Sequence, residues 1–427
     1  MISMMMFLVV LILLLVGIPV AFVFGAVSII FAFFVPEVGL GVFSILPFRI
    51  FGIMSNHTLM AVPLFIMMGL LLEKSLMAEK LLVAMSAMLR GVRGGLAVSV
   101  VLVGAMLAAS TGIVSASVVM LSVIALPLML KAKYDKGLAS GTIASSGTLG
   151  QIIPPSVILI ILGDVMSVSV GELFMAAVLP GLLLVGLYIV YILIYSYFKP
   201  SAAPILEDAK SISIKEIILA VVPPLLLMVT VLGTIFAGIA SPTESAAFGV
   251  IGAALLAVLN RSFNFKMLKY ASLETVKLSG MIFMILIGAT AFSLVFNELG
   301  GSALILEFFT QDIADVWIFI AIAMLAIFIL GFFIDFIEIS FVIVPILVPV
   351  MHAFGIDPVW FAILIALNLQ ASFLTPPFGL SLFFLKGVAG DTIKTIDTYR
   401  GIIPFILLQF LALAIVILFP DLVFAFI

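Results

Sequence analysis

Apolar runs of roughly 18 or more residues, separated by short charged patches, recur along nearly the whole chain, and that is the length a helix needs to cross a bilayer. The pattern predicts an all-α polytopic membrane protein. The alternating ten-residue segments of a transmembrane β-barrel are missing. Inside the apolar runs lie two helix-breaking pairs, Pro154-Pro155 and Pro376-Pro377, 222 residues apart. At that offset, without gaps, Ile124, Pro127, Met129, Asp135, Ile143 and Ala144 recur as Ile346, Pro349, Met351, Asp357, Ile365 and Ala366. The chain reads as duplicated. Interrupted hydrophobic segments at corresponding places in two halves point to a secondary transporter whose site lies where the repeats meet.

Positive charge sets the threading. Lys74, Lys80, Arg90 and Arg93 form one basic cluster; Lys131, Lys133 and Lys136 a second; Lys199, Lys210 and Lys215 a third; Arg261, Lys266, Lys269 and Lys277 a fourth; Lys386, Lys394 and Arg400 a fifth. All five are assigned to the cytoplasm. The segment 95–130 then has both ends inside. Its arms of about 15 residues reach only roughly 22 Å at helical rise, too short for full spans, so it is expected to enter and return as a hairpin. Its middle, Ser110-Thr111-Gly112-Ile113-Val114-Ser115-Ala116-Ser117, suits a re-entrant tip. From Leu278 to Leu385 there is no Lys or Arg, and Asp312, Asp315 and Asp357 flank the segment 316–351. That hairpin, with its tip near Gly331 to Glu338, is expected to enter from the other face, which inverts the second repeat relative to the first. The amino terminus has no basic residue before Arg49 and is placed outside; it has no basic n-region or cleavage site and reads as a mature membrane segment.

The expected domains are a first repeat over 1–200, a cytoplasmic linker over 201–215 and a second repeat over 216–427. Each hairpin is followed by an interrupted helix, over 137–167 and 358–387. Gly147 to Ile153 is expected to be unwound backbone, with Pro155 opening the second piece, because proline is tolerated in a first helical turn and disruptive in mid-helix. Asn368 to Thr375 is expected to play the same part. Irregular backbone at membrane depth survives only where protein buries it or it lines a wet cavity. Val42 to Gly52 and Phe263 to Lys277 read as stretches along the interface before the third span of each repeat, and Met77 to Arg90 and Ser302 to Phe309 as stretches before the hairpins.

Composition narrows the class further. With 65% apolar and 9% charged residues the surface is built for lipid, not water. No cysteine is present, which removes disulfides and thiolate metal sites, and His57 and His352 are the two imidazoles. No phosphate-binding loop of the G-x-x-x-x-G-K-[ST] type occurs, and no soluble domain fits. No nucleic-acid partner is expected. A passive pore would leave the paired breaks and opposed hairpins unexplained, and an intramembrane enzyme would need a catalytic set that is not visible.

Several motifs together resemble the large membrane subunit of TRAP (tripartite ATP-independent periplasmic) transporters, within the wider ion-transporter superfamily. They are Gly17-Ile18-Pro19-Val20-Ala21, Ser110-Thr111-Gly112, Gly147-Thr148-Leu149-Gly150 followed by Ile153-Pro154-Pro155-Ser156, Ser241-Pro242-Thr243-Glu244, and Asn368-Leu369 with Thr375-Pro376-Pro377, and they run the length of the chain. The resemblance implies an elevator-type symporter of the bacterial inner membrane. It would move a small organic acid inward with Na+, receive it from a periplasmic substrate-binding protein, and pair with a small four-helix membrane subunit on a separate chain. The first tip departs from the serine-glycine-serine form commoner in the family. The alternative is an autonomous ion-coupled organic anion carrier or exchanger of the same superfamily.

Sodium takes oxygen ligands, supplied by half-helix carboxyl ends and unwound carbonyls, while half-helix amino ends favour an anion. On the resemblance, one sodium site is expected between Ser110, Thr111 and Gly112 and the break residues Gly147, Gly150 and Ile153. A second is expected between Gly331 and Asp335 and the break residues Leu374, Thr375 and Pro377. The substrate is expected between them, at Ser115, Ser117, Thr148, Ser156, Asn368 and Gln370. Asp335 is the carboxylate assigned to coupling, since a charge at membrane depth is costly; Glu338 is the second candidate. Glu244 has the sequence setting of a helix capping box and reads as structural, and His57 as interfacial.

Overall fold

The computed structural model describes residues 2–75, 77–111, 114–205 and 213–427, with the backbone alone for 108–111. The described residues form an all-helical protein without strands, and seven of its helices are long and apolar enough to cross a membrane. In chain order the main helices are α1 (Ile2–Leu15), α2 (Val20–Phe34), α3 (Leu46–Met54), α4 (Ala61–Lys74), α5 (Met77–Met88), α6 (Gly95–Thr111), α7 (Val114–Lys131), α8 (Lys136–Thr148), α9 (Val157–Met166) and α10 (Val170–Phe198). They continue as α11 (Ile214–Phe236), α12 (Pro242–Leu259), α13 (Phe265–Glu298), α14 (Gly301–Glu307), α15 (Val316–Leu330), α16 (Phe336–Ala353), α17 (Pro358–Leu374), α18 (Leu380–Ala389) and α19 (Thr395–Leu418). Residues 206–212 of the predicted linker lie outside the described residues, as do 112 and 113 of the first tip.

The order of elements in the two halves matches. The pair α6 and α7, then α8, a break and α9, then the long α10, has its counterpart in α15 and α16, then α17, a break and α18, then α19. Each interrupted helix starts at an aspartate cap that the sequence repeats: Asp135 accepts from the Leu138 N–H and Asp357 from the Trp360 N–H. Both interrupted helices are innermost. Every residue from Gly137 to Thr148 and from Val359 to Leu374 is buried.

Two expectations about the breaks are corrected. Gly147 and Thr148 still belong to α8, which tightens into a 3-10 turn at Leu149–Gln151 before the chain leaves the helix. Asn368 to Leu374 is likewise helical. The hydroxyls of Ser145 and Thr148 bond to carbonyls three residues back and so tolerate the helix instead of opening it. Pro154-Pro155 and Pro376-Pro377, both joined by cis peptides, lie in the extended connectors, and the second pieces begin only at Val157 and Leu380. Pro155 is therefore part of the break, not the first residue of the following helix. The stretch Phe263 to Lys277 is not a separate interfacial segment either. It opens α13, whose 34 residues reach about 50 Å. No Gly or Pro interrupts it before Gly280, and Lys277 pairs with Glu274 at 2.7 Å along the same helix.

Hydrogen bonds chain the five basic clusters together at one end of the molecule. The Lys80 ammonium reaches Asn260 Oδ1 at 2.8 Å beside Arg261; the Gly94 N–H next to Arg93 meets the Ala203 carbonyl at 3.3 Å; the Asp135 N–H meets the Ala202 carbonyl at 2.8 Å. Lys136 Nζ donates to the Thr392 carbonyl at 2.8 Å, so the start of α8 sits beside the end of α18. The two interrupted helices therefore run in opposite directions.

Small residues let these inner helices touch. Gly137 and Gly141 face Gly401 of α19, and an added Cβ at Gly401 would overlap the Gly137 carbonyl oxygen. Replacing Gly401 by Val should destabilise the protein by about 1–3 kcal/mol or more, the cost of overpacking a dense core. Thermal unfolding in detergent should show the drop, while Gly186→Ala, whose added Cβ meets nothing within 4 Å, should leave the midpoint where it was or raise it.

Candidate transport site

The first turns of four helices meet around a partly open, mostly apolar cavity of about 100 Å³. Val114 and Ser115 come from the start of α7, Val157 from the start of α9, Leu380 from the start of α18, and Phe336 from the start of α16 with Asp335 just before it. Phe373 at the end of α17 and Leu278, Met281 and Ile282 of α13 close the walls. Every helix leaves its first N–H groups without an intrahelical partner, and the peptide dipoles add to make that end positive. Here no side chain caps α9 or α18. Ser156 gives its hydroxyl to the Gln151 carbonyl at 2.8 Å, and Gly379 has no side chain to offer. Helix amino ends thus face the cavity, and no Lys, Arg or His is among its lining residues. Its one lining carboxylate is Asp335, which accepts from the Phe336 N–H at 2.7 Å.

The second tip closes directly on the second break. Phe333 stacks near Phe378 with ring centroids 5.1 Å apart, and Phe336 lies 6.1 Å from Phe373. Gly331 ends α15 against Ser372 of α17, one turn before Thr375, while Asp335 lines the cavity beside Phe373. Thr375 donates its hydroxyl to the Ala371 carbonyl at 2.8 Å, and the Pro377 carbonyl accepts from the Tyr399 hydroxyl at 3.2 Å. Glu338 is buried one turn after Asp335, and its Oε2 has no partner.

Of the first predicted group, Ser110 and Thr111 end α6 with their backbone alone described, and Gly112 lies outside the described residues. Gly147 is packed where an added Cβ would overlap Val118 of α7, Gly150 is buried in the 3-10 turn, and Ile153 packs on Gly181. Among the predicted substrate residues, Ser115 lines the cavity and Ser117 is buried on α7. Asn368 is spent on structure, its amide donating to the Met324 carbonyl at 2.7 Å. Thr148 and Gln370 meet each other, Gln370 Nε2 donating to Thr148 Oγ1 at 3.4 Å across 222 positions. That is the repeat offset itself, so two equivalent residues touch where the halves cross. Glu244 makes the capping box with Ser241 that its setting indicated.

Sequence reasoning missed Asp164, near the far end of α9. Its Oδ1 accepts from the amide of Asn56, whose own oxygen accepts from the N–H groups of Thr58 and Leu59. The signal was present, since Asp164 is the only charged residue between Lys136 and Glu172. Ser372 and Ser381 were also missed; Ser381 donates to the Phe373 carbonyl at 2.9 Å, and a lone serine in an apolar helix says nothing about what it will meet.

Two interrupted helices crossing in opposite directions, with uncapped amino ends turned to a common cavity, define a membrane transport protein of the secondary type. The comparisons with known proteins agree. The profile of the tripartite ATP-independent periplasmic transporter DctM component matches residues 7–422, and the chain belongs to that family. It is 31% identical to the ectoine TRAP transporter large permease protein TeaC of Halomonas elongata, over 96% of this chain and 95% of that one. It is 30% identical to the C4-dicarboxylate TRAP transporter large permease protein DctM of Pseudomonas aeruginosa, over 88% and 87%. The sialic acid TRAP transporter large permease protein SiaM of Vibrio cholerae is 29% identical, over 95% and 93%. In fold it is similar to the YdaH transporter of Alcanivorax borkumensis, with a TM-score of 0.61 at 16% identity, covering 89% of each chain.

The tight seat of Gly331 generates a prediction. An added Cβ there would stand 2.7 Å from the Ser372 Cβ, so Gly331→Ala should lift the second tip off the second break. Uptake should fall about tenfold or more, in keeping with the roughly 1–3 kcal/mol of an overpacked contact, at an unchanged amount of inserted protein. The double variant Gly331→Ala/Ser372→Gly should recover most of it.

Proposed function

We propose that this chain is the transport subunit of a TRAP system of the bacterial inner membrane, taking up a small organic acid together with Na+ by an elevator-type movement. The observation that carries this reading is the convergence of uncapped helix amino ends on one cavity that has no basic side chain. Such a site suits a carboxylate held by backbone N–H groups and neighbouring cations. The named relatives carry an ectoine, a dicarboxylate and a sialic acid permease among them, which supports a small acidic or amphoteric solute without choosing one.

The opposed run of the interrupted helices and the Thr148–Gln370 contact support a pair of inverted repeats about an axis in the membrane plane. On that reading the first repeat covers 1–200 and the second 216–427. Sodium would be held at Gly331, Asp335, Leu374 and Thr375 on one side, and at Gly147, Gly150 and Ile153 with the first tip on the other. The partners are a small four-helix membrane subunit and a periplasmic binding protein, and the broad apolar face of α11, of which few residues are buried, is consistent with contact to lipid or another membrane chain.

The test is uptake of candidate acids into proteoliposomes that contain this chain and its small partner, with an imposed Na+ gradient, with and without the binding protein. Uptake that needs both Na+ and the binding protein is expected. Uptake without the binding protein would identify an autonomous carrier, and flux indifferent to every ion gradient would identify a facilitator. In the same assay Asp335→Asn and Thr375→Ala should each weaken Na+ dependence in a folded, inserted protein. Unchanged Na+ dependence in both variants would remove the second sodium site.

A further inference from the structure

We propose that a cavity beside Arg49 is a second ligand site, an outer antechamber that receives the carboxylate of a monoanionic or amphoteric organic acid before it reaches the central cavity. The proposal rests on the uptake reading above and adds to it a place and a charge type.

Arg49 stands apart from every other basic residue. The remaining Lys and Arg among the described residues all belong to the five clusters at one end. Arg49 lines a broadly open surface hollow of about 400 Å³ with Asn56, Asp164 and Thr290. Asp164 fixes which end this is. The chain enters α8 at the basic end, passes the break, and moves away from that end through α9, where Asp164 lies two residues before the helix stops. The cavity is therefore at the end opposite the clusters, the outer one on the threading given by positive charge.

The groups around the cavity are unequally committed. Asn56 is spent on both sides, its amide donating to Asp164 and its oxygen accepting from Thr58 and Leu59. Thr290 donates to the Leu286 carbonyl at 2.7 Å. Arg49 makes no ion pair among the described residues, and it is exposed. A guanidinium presents a planar fork of donors matched to a carboxylate, so an arriving acid finds there a cationic side chain away from the five clusters. Asp164 in the same cavity opposes a second negative charge. A dianion is disfavoured by it, whereas an acid with one carboxylate, or with a positive group besides, meets complementary charge at both residues.

The absence of cysteine makes a direct test practicable. Thr290→Cys gives a single thiol in the cavity, and its modification by uncharged N-ethylmaleimide would be timed with and without the acid that the complex accumulates. Several-fold slowing by the acid is expected, retained with Arg49→Lys and lost with Arg49→Gln. In uptake, Arg49→Gln should raise the half-saturating concentration about tenfold, the scale of one charge-assisted hydrogen bond, with the maximal rate nearly unchanged. Protection that survives Arg49→Gln, or an unaltered half-saturation, would overturn the antechamber. A loss of inserted protein without a shift in half-saturation would assign Arg49 to anchoring at the lipid headgroups instead. Failure of the unsubstituted complex to accumulate any acid would overturn the uptake reading itself, a result separable from the others.

Discussion

Everything in this protein depends on keeping backbone polar groups satisfied at two points where helices stop inside a membrane. Water cannot do this at such depth, and each orphaned group is expensive. The chain answers with short local devices. Ser156 and Ser381 reach back across the breaks to the Gln151 and Phe373 carbonyls, and the N–H groups of Thr375 and Gly379 bond to carbonyls of the closing turn. What these devices do not supply is a side-chain cap for either second piece, and both of those helix starts are turned to the cavity.

The same requirement explains why the interrupted helices are innermost. A break is tolerable only if other helices cover it, and helices must approach closely to cover it well. Hence α8 is made almost wholly of small residues from Gly137 to Thr148, and it is buried throughout. The equivalent α17 is built from larger apolar side chains and is buried as completely. The two interrupted helices thus fill space differently, and one polar contact, between Thr148 and Gln370, joins them.

Much of the architecture was legible from the pattern of apolar runs and basic clusters, because membrane thickness and charge placement act on whole segments. A helix pair followed by an interrupted helix stands in each half near where the pattern put it, although α7 and α16, at 18 residues each, are longer than the arms of about 15 residues that were expected. The limits of the breaks were not legible. Gly147 and Asn368 looked like part of unwound backbone, yet Gly147 serves close contact with Val118 and Asn368 reaches across to Met324. Glycine, serine and asparagine suit an irregular backbone and a crowded helix equally well, and only the neighbours decide. Those neighbours come from elsewhere in the chain, which is also why the cavity walls at Phe373 and Leu380 carried no signal of their own.

The glycine contact between α8 and α19 bears on which parts of the molecule can shift against each other. Surfaces that meet through long side chains can slip, since rotamers readjust, and α4 and α12 meet in this manner at Met68 and Gly249. Main chain resting on main chain has nothing to readjust. At Gly137, Gly141 and Gly401 the join is of this kind, and α8 and α19 are held there as one solid piece.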